Sequence, residues 1–388
     1  MKYEMLNLPE PGKTVVVGMS GGVDSTLTAL LLKQKGCKVI GVTMSIWDGH
    51  LPVEDAAKAF KDTCYSPDEQ KNIAECTKFC KENDIEYHVV DVSKEYNQFV
   101  LNYFTDEYRS GHTPNPCIRC NRYIKFGALW DGIKKLNIDF DYFCTGHYAA
   151  LVRPSEGIWG TDVKPAMIAC ASDETKDQTY FLYRLPPEIL EKVRFPLALT
   201  KKSEVYELAE KANLEAAARK ESQDFIDIKY IDYLFLDKPS VPGNFVDING
   251  KILGKHKGIE HYTIGQRRGL GVAGPYPYYV KEINAEKNEI VLAEKSELNS
   301  TSLIADDFVW PGNVEPTEIF EALTKIRLRS TVSLATIEKY IPSENDKTLY
   351  KGQPWKITFN QEQYAVTPGQ SVVFYKDDVI IGGGIIVK

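Results

Sequence analysis

The stretch Thr14-Val15-Val16-Val17-Gly18-Met19-Ser20-Gly21-Gly22-Val23-Asp24-Ser25-Thr26 decides the fold of this chain. It sets a β-branched strand, a glycine turn and the apolar-periodic run 27–33 in immediate succession. Glycines at such a junction let backbone N–H groups approach an anion, and the first turn of the following helix adds unpaired donors and the positive end of its dipole. Phosphate is the natural occupant. The loop lacks the Lys-Ser/Thr ending of a Walker A sequence, so transfer of a terminal phosphoryl group is not the expected chemistry.

The same alternation continues outward. Strand candidates at 14–17, 39–44, 86–92 and 140–144 are separated by amphipathic helical stretches, the pattern of a parallel sheet covered by helices on both faces. Between the second and third strands, Ser66 reads as a helix N-cap, Pro67 as the first helical position and Glu69 as the residue closing a capping box. Ile73, Cys76, Thr77 and Cys80 then share one face, which predicts that both cysteines are buried packing. The alternation weakens after residue 218. From 221 the composition turns to Gly, Pro, aromatic and β-branched residues, with turn signals at Pro242-Gly243, Asn249-Gly250, Gly254 and Gly265. Short alternating strands at 322–328, 355–359, 371–375 and 379–381 follow. The expected organisation is an α/β nucleotide-binding and catalytic domain over 1–220, a central β-rich domain over 221–298 and a C-terminal β-barrel over 299–388.

A chain of 388 residues can bury two or three such cores. No apolar run approaches the roughly 20 residues that span a bilayer, and residues 1–8 lack the continuous apolar core of a secretory signal. No membrane partner and a cytoplasmic location are expected. Eight cysteines are too few for a disulfide scaffold. The net charge of -7 argues against generic polyanion binding, so a nucleic-acid partner would need a local basic patch. Candidates are Lys201-Lys202, Lys255 with Lys257, Arg267-Arg268 and Lys325-Ile326-Arg327-Leu328-Arg329, each of which by itself reads as a solvated face.

The hexad Ser20-Gly21-Gly22-Val23-Asp24-Ser25 resembles the pyrophosphate-loop signature. That resemblance implies an enzyme that splits ATP between its α and β phosphates and adenylates a carbonyl or amide oxygen, so that a nucleophile can displace AMP. The ATP contacts would then be Gly18, Met19, Ser20, Gly21, Gly22, Val23, Asp24 and Ser25. Met44, at a strand end where an adenine can rest on the sheet's carboxyl edge, and Gly146, after another strand end, join them. Several further segments sharpen the resemblance: Thr113-Pro114-Asn115-Pro116 leading to Cys120-Asn121 and Ile124-Lys125-Phe126, Lys176-Asp177-Gln178-Thr179-Tyr180, Pro242-Gly243-Asn244-Phe245, and Tyr262-Thr263-Ile264-Gly265-Gln266-Arg267-Arg268-Gly269.

Together these segments resemble the tRNA-specific 2-thiouridylases (MnmA/TrmU family) along nearly the whole chain. The resemblance implies ATP, Mg²⁺, a persulfide or sulfide donor protein, and a tRNA whose wobble uridine is adenylated at the C2 oxygen and thiolated. It places Asn115, Pro116 and Cys117 in the loop that meets a flipped-out base, which an enzyme modifying a base edge requires. It places His147, Lys176, Asp177, Gln178, Arg327, Leu328 and Gln370 at positions that touch tRNA. The basic 325–329 segment thereby becomes an RNA contact.

The chain departs from the family pattern at its sulfur chemistry. Where the pattern has Asp after Asn-Pro, this chain has Cys117; Cys120 is retained; and Glu221-Ser222-Gln223-Asp224-Phe225 is followed by Ile226 where a second cysteine belongs. Isoleucine can neither carry a persulfide nor form the disulfide that releases sulfur. Three readings stand side by side. Cys117 and Cys120 form a catalytic C-x-x-C redox pair; or they join a third cysteine, Cys144 or Cys64, around an iron-sulfur cluster; or the chain is a tRNA-binding, adenylating paralogue with impaired or no thiolation. A zinc site on the same C-x-x-C lacks a matching second pair.

Overall fold

In the computed structural model of the chain, the described residues are 2–49, 63–218, 225–226, 228–344 and 346–388. Five parallel strands form the first sheet, in the order Glu86–Asp91, Lys38–Ser45, Thr14–Gly18, Tyr142–Thr145 and Val193–Arg194. Val15 and Val17 pack on one side with Ala29, Leu32, Cys76 and Cys80, while Val16 packs on the other with Phe126, Trp130 and Phe143. Both faces are covered, so the central strand is apolar at successive positions. Cys76 and Cys80 are buried, as their helical spacing requires. The two-residue strand Val193–Arg194 is too short for periodicity to mark.

The helix after the second strand differs from expectation at its start. It runs Glu69–Glu82 with Asp68 at the N-cap position and no side-chain cap. Instead of closing a capping box, the buried Glu69 carboxylate accepts from the backbone N–H groups of Ile46 (2.6 Å) and Trp47 (3.1 Å). A tertiary demand for acceptors at the strand's end overrides the local cap, and Glu69 fixes the chain where it leaves the sheet's carboxyl edge.

The middle portion holds a four-stranded sheet, ordered Ile252–His256, Gly243–Val246, Glu289–Ala293 and Tyr279–Asn284. The last portion closes a barrel of six strands: Val379–Ile386, Asn299–Val309, Trp355–Tyr364, Ser333–Lys339, Phe320–Lys325 and Ser371–Lys376, the last pairing back to Val379–Ile386. Its sheet is extended from the opposite end of the chain. Tyr3–Met5 pairs with Ala150–Pro154, which pairs with Met167–Ala169, which meets the barrel where Ala169 faces Val379. Val373, Tyr375 and Ile380 of the barrel share one apolar cluster with Val16 and Phe143 of the parallel sheet. Tyr180 and Tyr183 stitch the two together, donating to the Ser371 carbonyl (2.9 Å) and meeting the Ser371 hydroxyl (2.9 Å).

The expected strand 322–328 stops early. It ends at Lys325, and residues 326–330 turn, so Arg327 and Leu328 sit in a loop rather than on a strand. Leu328 packs on the shared core, and the Arg327 guanidinium donates to the Tyr364 carbonyl. Those two anchors outweigh continuation of the ladder.

Candidate functional site

The glycine loop lies between the strand Thr14–Gly18 and the helix Val23–Gln34. Gly21 has φ +78°, which a side chain would strain, and Gly22 caps the helix in an extended conformation with no side chain closing the end. The first-turn N–H groups of that helix therefore face the loop. Ser25 shapes it: its hydroxyl accepts from the Ser20 N–H (3.2 Å), donates to the Gly22 carbonyl (3.1 Å) and stands 3.4 Å from the Ser20 hydroxyl. Met19 faces inward. Its N–H donates to the Val42 carbonyl (2.8 Å), its carbonyl accepts from Thr43 (2.9 Å), and its buried thioether lies 3.5 Å from the Cys80 sulfur. Val23 is likewise buried, beside Tyr148 and Leu27. Met44 is half-buried at the carboxyl end of its strand.

Gly146 approaches the loop as closely as backbone permits. A Cβ there would lie 2.8 Å from the Asp24 carbonyl carbon and 2.8 Å from the Ser25 nitrogen. Next to it, Tyr148 donates from its hydroxyl to Asp24 (2.8 Å), and the Lys202 ammonium donates to both Asp24 oxygens (2.7 and 2.8 Å). Neither residue was singled out from the sequence as a loop partner. A signal existed: Lys202, Val205 and Ala209 stand at i, i+3 and i+7 and are all buried, and a lysine in an apolar helical stripe needs a counter-charge. Of the four basic clusters, the Lys201-Lys202 pair is thus not simply a solvated face.

The cysteine loop is held by the other two portions of the molecule. Gln370, in the barrel, donates from its side-chain amide to the carbonyls of Thr113 (2.9 Å) and Pro114 (3.2 Å), and the Thr113 N–H donates to the Pro368 carbonyl (2.9 Å). The Thr113 hydroxyl meets that of Thr263, in a loop of the middle portion (3.4 Å). Asn115 then caps a short helix, accepting from the Ile118 N–H (3.3 Å) with Pro116 at the first position. Helical winding widens to a π-type turn over Cys120–Ala128, an irregularity common at functional sites. The Arg119 guanidinium is stacked between the rings of Tyr103 (4.2 Å) and Tyr123 (4.6 Å). Buried Asn121 donates to the Phe181 carbonyl (3.1 Å).

Cys117 is exposed and Cys120 half-buried. Burial pushes the Cys120 thiol up to about 11, and the charge of Lys125 opposes that rise without cancelling it. Lys125 also lies within electrostatic reach of His147. His147 pairs its Nδ1 with the Thr145 hydroxyl (2.7 Å), and burial holds its pKa well below the usual imidazole range, so it is neutral at pH 7. Ile226 and Cys120 pack on the same apolar cluster around Tyr65, Tyr96 and Ile124. The Glu221 to Asp224 segment lies outside the described residues.

The iron-sulfur reading needs a third ligand. Cys144 cannot serve: it is buried with Val15, Val17 and Cys80, away from the cluster that holds Cys120, and burial raises its thiol further. Cys64 is exposed and electrostatically coupled to Cys120. Among the described residues no group of three or more His, Cys, Asp or Glu side chains is arranged to hold a metal ion. Cys117 and Cys120 alone supply two thiols, one fewer than the iron-sulfur reading needs.

The remaining expected RNA contacts are dispersed in role. Gln178 clamps Tyr148 from both sides, its N–H donating to the Tyr148 carbonyl and its side-chain oxygen accepting the Tyr148 N–H, both at 2.9 Å. Asp177 turns inward, accepting from Thr179 (2.6 Å) and the Ala171 N–H (3.2 Å), and burial raises its pKa. Lys176 is half-buried, its N–H donating to the Asp173 carbonyl (3.0 Å). No helix among the described residues is long and apolar enough to cross a membrane.

Comparison with known proteins covers all three portions. Family profiles match a tRNA methyl transferase HUP domain over residues 13–229, a tRNA methyl transferase PRC-barrel domain over 232–294 and an aminomethyltransferase β-barrel domain over 300–386. The tRNA-specific 2-thiouridylase MnmA of Endomicrobium trichonymphae is 44% identical over 377 residues, 96% of this chain and 98% of that protein. Its namesake in Carboxydothermus hydrogenoformans is 42% identical over 383 residues, 97% of this chain and 98% of that one. MnmA 1 of Clostridium botulinum strain Hall is 40% identical over 382 residues, 97% of this chain and 99% of that one.

Proposed function

We propose, from the premise that this chain belongs to the tRNA-specific 2-thiouridylase (MnmA) family, that it replaces the C2 oxygen of a tRNA wobble uridine with sulfur, using ATP. One observation carries the reading: likeness to the thiouridylases spans 96–97% of the chain, so it takes in the glycine loop, the middle sheet and the barrel. Residues 1–220 would hold ATP and the chemistry, with 221–298 and the barrel of 299–388 completing the tRNA surface. The reaction takes place in the cytoplasm, with sulfur supplied by a persulfide donor protein.

The C2 oxygen of the extruded uridine attacks the α-phosphorus of ATP, and pyrophosphate leaves along the glycine loop, whose N–H groups face it. Asp24 is the loop carboxylate that would face a magnesium ion arriving with ATP, which would offset the phosphate charge. Asn115 to Cys117 would meet the base, with neutral His147 and the Lys176 to Gln178 segment beside it. The terminal sulfur of a Cys120 persulfide adds to C2, and AMP departs with the original oxygen. The Cys117 thiolate then attacks the Cys120 sulfur, leaving 2-thiouridine and a Cys117–Cys120 disulfide, which a cellular dithiol reduces. Cys117 takes the resolving role because it is exposed, and because Ile226 offers no thiol.

Incubating unmodified tRNA with ATP, Mg²⁺ and a persulfide donor should yield one AMP and one pyrophosphate per 2-thiouridine. Cys117→Ser should release AMP once and then hold the tRNA as a Cys120–S–S–C2 adduct with no free 2-thiouridine, so full multiple-turnover thiolation by that variant sinks the cysteine-pair mechanism. ATP–pyrophosphate exchange with no 2-thiouridine would establish the adenylating paralogue instead.

The Gln370 contacts give a second expected result. Loss of two hydrogen bonds, worth about 1 kcal/mol each, frees the Thr113 and Pro114 carbonyls and loosens the loop that meets the base. Gln370→Ala should lower thiolation roughly tenfold with ATP affinity unchanged. Steady-state rates indistinguishable from wild type would show that the loop keeps its place without the barrel.

A further inference from the structure

The contact between Asp24 and Lys202 spans 178 residues of sequence and joins the first turns of two helices, Val23–Gln34 and Lys202–Lys211. Those two ends are finished differently. At the second, the Asp173 carboxylate accepts from the Lys202 N–H (2.9 Å) and the Glu204 carboxylate from the Lys201 N–H (2.7 Å), so two carboxylates already stand at that helix end. At the first, no side chain closes the end. The Lys202 ammonium therefore leaves its own capped helix and is delivered to the uncapped one. It crosses the ring faces of Tyr206 (5.0 Å) and Tyr148 (5.6 Å), with only 10% of its side chain exposed against 27% for Asp24.

A buried ion pair is a poor structural device, since apolar side chains of similar volume would serve the fold as well or better. A lysine nonetheless held at a helix N-terminus, where the dipole disfavours cations, suits an anion that binds at that place. Its flexible four-carbon stem and compact ammonium can pass from carboxylate to phosphate by torsion alone.

We propose that Lys202 is a phosphate-contacting residue of the nucleotide site, parked on Asp24 in the free protein and transferred to the β and γ phosphates of ATP on binding. The exchange leaves the more exposed Asp24 carboxylate open to the divalent cation that accompanies the nucleotide. This inference rests on the reading of residues 18–25 as the ATP loop.

Calorimetric titration of the full chain with ATP, AMP and inorganic pyrophosphate tests it, using wild type, Lys202→Met and Lys202→Arg. Lys202→Met should weaken ATP and pyrophosphate roughly 10- to 100-fold and AMP by less than about threefold, while Lys202→Arg should recover most of the loss. Parallel weakening of ATP and AMP, or unchanged ATP affinity, overturns the proposal in favour of a purely structural pair. Should Lys202→Met fail to fold, Lys202→Gln keeps a donor to Asp24 without the charge and is judged by the same comparison. Wild type that binds no ATP would overturn the reading of the loop itself, an outcome visible before any variant is titrated.

Discussion

Exchange of Cys120 for serine is expected to lower thiolation at least roughly 1,000-fold while leaving ATP affinity and melting temperature almost unchanged. The substitution keeps shape and removes only the sulfur that can bear a persulfide. Cys120 is held half-buried against the Tyr65, Tyr96 and Ile226 cluster, and burial pushes its thiol up to about 11. At pH 8 only about one molecule in a thousand then carries the thiolate. The free thiol should accordingly be slow to alkylate, gaining about tenfold per pH unit from 8 to 10, where an ordinary thiol levels off near 8.5. The sign for stability follows: the fold favours the neutral thiol, so this contribution is fully present below about pH 8.5 and is lost as pH rises through 11. Mass-spectrometric mapping of iodoacetamide labelling against pH checks the titration. A pH-independent labelling rate would contradict it, and a serine variant that still thiolates would move the sulfur to a different cysteine.

Gly146→Val should be nearly as damaging by a different route. The new Cβ meets the backbone of Asp24 and Ser25 at 2.8 Å, and backbone at the start of a buried helix cannot swing aside as a side-chain tip can. The helix must retreat from the strand Tyr142–Thr145, carrying the loop's N–H groups out of line with the phosphates. A displacement near 1 Å is enough to reduce a positioned reaction about 100-fold, with roughly 2 kcal/mol lost from overpacking. Gly352→Ala is the matched control, since nothing lies within 4 Å of its Cβ position; its stability should change by less than about 0.5 kcal/mol. Chemical denaturation and ATP titration of both variants check the pair. A Gly146→Val protein that binds ATP as wild type does would show that the close approach is not needed.

Local sequence carried far in this chain, for a physical reason. The strand, glycine turn and helix of the nucleotide loop are set by neighbours in sequence: β-branched residues before, a glycine that must take positive φ within, apolar periodicity after. The buried faces of Cys76 and Cys80 follow from the same periodicity, and the turn-rich composition past residue 221 marks two β units. Misreadings fell where a distant group competed with a local preference. Glu69 left its capping box for backbone donors at Ile46 and Trp47, and the Phe320–Lys325 strand ended where Arg327 found the Tyr364 carbonyl.

What the sequence by itself determined, then, is the alternation of strands and helices, the phosphate-binding turn and the presence of two thiols three residues apart, because each is written in the period or the residue types of a short stretch of chain. Only the tertiary structure decided which residues serve them. Lys202 reaches Asp24 across 178 positions, Gln370 holds the loop of Asn115 across more than 250, and the first strand joins, by way of Ala150–Pro154 and Met167–Ala169, the sheet of the C-terminal barrel. Such pairings carry no period or spacing in sequence, since they are selected by the burial of charge and the satisfaction of backbone groups once the separate elements have packed.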